Sequence, residues 1–163
     1  MSEQNINAHA QFEKSINKLL TGDTRQNALS FMQHMVSMGM APEGSANDGK
    51  FTYKGKNVCY THLSGNYSGY PGPWTIWTEG NYSKEIENIQ IDDHMKEIAW
   101  ANVHNCDSCG STRCGPDKRK VIFGRAFDNV CHSAMAFTGP DAETVECTKK
   151  LMEMRKHAIE AGE

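Results

Sequence analysis

Apolar residues recur along this chain first at helical spacing, then in alternation, then at helical spacing again. Phe12, Ile16, Leu19 and Leu20 mark a first helix, which Thr21 and Gly22 bring to an end. Ala28, Phe31, Met32, Met35 and Val36 form the stripe of a second helix. Asp23 or Thr24 can cap it, and Gly39 stops it. Residues 1–8 read as a flexible arm ahead of a single domain over 9–163, and residues 41–50 as a loop. Alternation then takes over. Phe51 to Tyr53 and Val58 to Leu63 flank a Lys-Gly-Lys turn as a hairpin, and Trp74 to Thr78 form a third strand. In strict alternation that strand puts its two tryptophans on opposite faces.

A third helix is expected from Ile91 to Trp100, with aspartates near its positive end. Residues 121–123 and 133–137 are further strand candidates. Pro140, Asp141 and Glu143 open the last helix. Its buried face carries Cys147, Leu151, Met154 and Ala158, broadened by Val145, Met152 and Ile159. Strands joined by short hairpins and segregated from the helices predict an α+β fold. The sheet is antiparallel, with N-terminal helices and a long C-terminal helix packed on it.

Composition narrows the classes. The chain has 163 residues, of which 38% are hydrophobic and 23% charged, in the range of one globular domain with a substantial core. The net charge of −3 argues against a general phosphate-backbone binder, so nucleic acid is not the expected partner. No apolar run reaches the ~20 residues of a membrane span, and residues 1–15 lack the apolar core of a secretory signal. The expected location is the cytoplasm, with six cysteines kept reduced and the Asn-Tyr-Ser sequons at Asn66 and Asn81 unglycosylated. Nine methionines fall mostly on predicted helix faces, where the thioether fills core gaps.

Candidate chemistry concentrates in Cys106-Asp-Ser-Cys109-Gly-Ser-Thr-Arg-Cys114-Gly-Pro. Thiolates crowded on a glycine-rich turn can converge on one soft metal, and zinc suits four such ligands in a tetrahedron. Cys131 is the first choice as fourth ligand, because residues 127–130 bring the chain back beside the loop; His104 and His132 are the alternatives. Cys59 and Cys147 fit core thiols better. The competing reading is a set of bystander thiols or a redox Cys-x-x-Cys pair, although a redox pair follows a strand and this one is expected to follow a helix. The retroviral knuckle is excluded by Arg119, where its fourth ligand would stand. A closed all-cysteine site is structural, whereas catalysis needs an open position with bound water.

Two further features carry weight. Arg113, Lys118, Arg119, Lys120 and Arg125 form a basic stretch around the cysteines. It reads as a solvated loop whose charge offsets thiolates rather than as a phosphate grip. Tyr60, Tyr67, Tyr70, Trp74, Trp77 and Trp100, with Tyr53 nearby, can line an organic-ligand pocket or fill a sheet–helix core. His62 and Glu79 are the polar groups nearest that set in sequence. No phosphate loop, nucleophile elbow or H-E-x-x-H occurs.

Residues 53–60 with 73–77, and residues 96–100 through the cysteines to 123–131, 140–143 and 146–147, resemble a group of small uncharacterised bacterial proteins with a C-x2-C-x4-C loop. The resemblance covers residues 25–160 and brings no established activity or catalytic residues. At fold level the helix-then-hairpin opening is similar to the YjbR-like α+β fold. The reading that follows is a small binding or regulatory module with a structural zinc site and an aromatic small-molecule pocket. The alternative is a metal-dependent enzyme with an open zinc site at the same loop.

Overall fold

A computed structural model describes residues 3–45, 47–63, 72–79, 89–106 and 118–162. Helix α1 (Glu3–Leu19) leads into α2 (Gly22–Ser37). Strands β1 (Ala41–Gly44), β2 (Asp48–Tyr53), β3 (Lys56–His62) and β4 (Thr75–Thr78) follow. Helix α3 (Asp93–Ala101) precedes β5 (Val103–Asn105), β6 (Lys120–Ile122), β7 (Arg125–Phe127) and β8 (Val130–Thr138), and α4 (Ala142–Glu160) closes the chain. Six strands form one sheet in the order β1-β2-β3-β4-β8-β5, every neighbour antiparallel, and β6 pairs with β7 in a separate hairpin. This is the α+β architecture read from the pattern, with α1, α2 and α4 packed on the sheet.

The core runs as a chain of edge-to-face rings. Phe51 of β2 meets Phe12 of α1 at 6.0 Å and Phe31 of α2 at 5.9 Å, and Phe31 meets Trp74 at 6.0 Å. The positive edge of each ring faces its neighbour's negative face, so the two N-terminal helices are keyed to the sheet as well as buried on it. Helix α4 is fixed at both ends. Asp141 accepts from Thr144 N at 2.8 Å as N-cap, and Asn27 Nδ2 donates to Pro140 O at 3.2 Å. At the far end, Tyr53 Oη donates to Glu160 at 2.7 Å.

Several elements differ from the pattern reading. Helix α1 begins at Glu3, inside the stretch expected to fray. Leu19, expected on the apolar stripe, is 40% exposed, because Phe12, Ile16 and Leu20 already complete the buried row. Helix α2 starts at Gly22 after Thr21, which makes no side-chain cap bond, and α3 starts at Asp93 with Asp92 capping Met95 N at 2.8 Å. The expected loop over 41–50 contains β1 and the start of β2. Pro42 and Gly44 disguise an edge strand there, where a missing N–H costs no ladder bond on the open side. The turn from β2 to β3 has positive φ at both Lys54 (49°) and Gly55 (76°), the mirror-type turn that matches strand twist.

Candidate functional site

The cysteine segment springs from the sheet's β5 edge. Asn105 pairs with Val130 and Val103 with Met135, so His104 of β5 faces the irregular stretch of β8 over residues 131–134, and Cys106 follows His104 two positions along. Asn129, in the left-handed region at φ 57°, grips Cys106 twice. Cys106 N donates to Asn129 O at 2.7 Å, and Asn129 Nδ2 donates to Cys106 O at 3.1 Å. Val130 N in turn donates to Lys118 O at 2.7 Å. Both ends of the segment 107–117 are therefore tied to the two residues that precede Cys131. Cys106 is buried and Cys131 half-buried.

Cys109 and Cys114 lie outside the described residues. Among the described residues, no three His, Cys, Asp or Glu side chains converge as a metal site. Cys59 on β3 and Cys147 on α4 are buried free thiols. Burial pushes the Cys59 thiol well above its ordinary range and Cys147 up to about 12, both far from the thiolate that binds metal.

The basic stretch disperses. Arg113 lies outside the described residues. Arg119 Nε stands 3.8 Å from Asp128, Lys120 Nζ donates to His132 O at 3.2 Å, and Arg125 stacks over the rings of Trp100 and Phe127. Trp100 Nε1 donates to Ile122 O at 2.7 Å, so this ring joins α3 to the β6–β7 hairpin.

The aromatic set divides in the same way. Trp74 is buried against Phe31 on the helix-covered face. Trp77 belongs to the other face, paired across strands with Tyr60 and 6.5 Å from the ring of His62. Tyr60 Oη accepts from Asn57 Nδ2 at 2.8 Å, and His62 Nδ1 pairs with Asp48. Tyr67 and Tyr70 lie outside the described residues. Of the expected pocket residues, Tyr60, His62 and Trp77 share one face, while Trp74 and Trp100 stand elsewhere.

A relationship not evident in the sequence completes that face. Glu79 N donates to Val58 O at 3.4 Å and so continues the β4 register past Thr78. Its carboxylate, only 11% exposed, meets His132 Nε2 at 3.3 Å from Oε1. Thus Glu79 partners His132 rather than His62. Two residues beyond His132, β8 is distorted. Ala134 has φ 52°, a conformation that costs an alanine about 1–2 kcal/mol, and the β5–β8 register shifts beside it. Thr78 spans the defect, its Oγ1 donating to Ser133 O and accepting from Met135 N at 3.2 Å. No local pattern could reveal a pair 53 residues apart. The signal in the sequence is a lone glutamate ending an apolar strand.

Comparison of the chain with protein-family models, with curated proteins and with solved structures returns no significant match. No described helix is long and apolar enough to cross a membrane.

Proposed function

We propose that this protein is a small binding module in which zinc, held by Cys106, Cys109, Cys114 and Cys131, fastens the β5–β8 edge of the sheet. The face carrying Tyr60, His62 and Trp77 receives a small organic ligand. One observation carries the reading: the cysteine segment is clamped at both ends to Asn129 and Val130, immediately before Cys131. Clamping shortens the loop that thiolates must close around a metal, which lowers the entropic cost of assembling the site. Zinc there would supply folding energy as a closed tetrahedral centre. Within this reading Cys59 and Cys147 stay protonated and uninvolved.

The test is a pair of variants. Cys114→Ser and Cys131→Ser should each lower zinc content and thermal stability together, with the Cys147→Ala control retaining full zinc. Zinc content unchanged in both serine variants would refute the closed site. A second reading takes His104 as a ligand, because this residue of β5 stands opposite the irregular stretch of β8 that contains Cys131. With His104 as a ligand the site keeps a water-bearing position, and the protein is a metal-dependent enzyme. That reading is favoured if His104→Ala removes metal while Cys131→Ser does not.

A further inference from the structure

We infer that the Glu79 end of the Trp77 face is an anchoring site for a primary ammonium group on a small organic molecule. The inference rests on the binding-face part of the proposed function and is independent of zinc. Three observations converge. First, Glu79 Oε1 faces His132, whereas Oε2 is buried and, among the described residues, no donor reaches it. A carboxylate oxygen withdrawn from water without a donor is costly, and native structures rarely leave such an acceptor empty. The missing donor is an N–H or O–H. The negative charge of the carboxylate favours a cationic one, because a charge-assisted bond is about twice as strong as a neutral one.

Second, Trp77 precedes Glu79 by two residues in the same strand register, so the two side chains stand on one face about 7 Å apart. That is the span of an ammonium group and a short alkyl or aryl body. An indole with a tyrosine beside it offers the apolar surface and ring quadrupole that such a cation prefers. Third, the arrangement is held by a strained backbone. Ala134 keeps its left-handed conformation, and Thr78 bridges the resulting defect from Ser133 O to Met135 N. Strain retained beside a half-satisfied carboxylate is typical of sites built for a ligand.

The probe is n-butylammonium, compared with n-butanol as its neutral counterpart of similar shape. Binding is followed by tryptophan fluorescence and by 15N–1H spectra of the full chain. The structure predicts saturable binding of butylammonium, a response centred on Trp77 that Trp77→Phe removes, and roughly tenfold or greater weakening in Glu79→Gln. Glu79→Asp, which keeps the charge but shortens the arm, reports on distance and should bind with intermediate affinity. Circular dichroism of each variant establishes that it is folded. Equal affinity for butanol and butylammonium, or unchanged affinity in folded Glu79→Gln, overturns the ammonium assignment and leaves the binding face standing. Failure of both probes to saturate overturns the binding face as well. Zinc content of the same samples reports separately on the metal centre.

Discussion

Asn129 holds Cys106 by both of that residue's backbone groups, accepting from its N–H at 2.7 Å and donating to its carbonyl at 3.1 Å. The bond pair joins the start of the cysteine segment to the start of β8. It depends on a residue that tolerates φ of 57° and carries a side-chain amide. Asparagine meets both needs. Asn129→Ala should therefore destabilise the protein by about 2–3 kcal/mol, from left-handed strain together with a lost hydrogen bond. Asn129→Gly relieves the strain and should recover roughly half of that loss. Urea denaturation of the three proteins measures the series, and equal stability of all three would remove Asn129 from the anchoring role.

Thr78 is buried and serves two backbone groups of β8 with a single hydroxyl. Thr78→Val keeps the shape but strands the Ser133 carbonyl and the Met135 amide away from water, at an expected cost of about 2–4 kcal/mol. Thr78→Ser keeps the hydroxyl and should lose only about 1 kcal/mol for the missing methyl. Chemical denaturation separates these outcomes. A valine variant as stable as the serine variant would show that the bridge contributes nothing.

The N-cap of α4 gives a pH-dependent prediction. Asp141 accepts from the Thr144 backbone N–H, and this bond, at a helix N-terminus, holds its carboxyl below the usual carboxylate range. Its contribution is complete above the unfolded value of about 3.9 and disappears as pH falls through the lowered folded value. Asp141→Ala should cost about 1 kcal/mol at neutral pH, with the difference from wild type closing in strong acid. Thermal unfolding across that range measures it. A difference that persists unchanged below the folded value would contradict the ionised cap.

Much of the architecture was legible in the sequence because burial repeats locally. The Phe12–Ile16–Leu20 row, the stripe of α2 and the face of α4 each declare themselves within a few turns. The Lys54-Gly55 turn declares itself by residue type. Edge strands were not legible. Pro42 in β1 and the three-residue β5 are sustained by neighbours distant in sequence, not by their own propensity. The candidate sites show the same division. The cysteine spacing is visible in the sequence, and so is the divergence of Trp74 and Trp77, three positions apart in an alternating strand. The clamp from Asn129 and the meeting of Glu79 with His132 depend on β8 lying between β4 and β5. That order is decided by packing of the whole sheet.

The two core thiols offer a further check. Burial pushes Cys147 up to about 12 and raises the Cys59 thiol as well, so neither is a thiolate at mildly alkaline pH. A thiol reagent should leave both unmodified in the native protein and modify them on unfolding, as read by peptide mass spectrometry. Rapid native labelling of Cys59 would contradict its burial between sheet and helices.

Metal analysis combined with chelator-triggered labelling tests the central proposal most directly, on protein purified without added metal. The proposal predicts zinc close to equimolar with the chain. On chelation Cys106, Cys109, Cys114 and Cys131 should become reactive together, while Cys59 and Cys147 stay protected. Metal-free protein whose Cys106 and Cys131 react at once, with or without chelator, would contradict it.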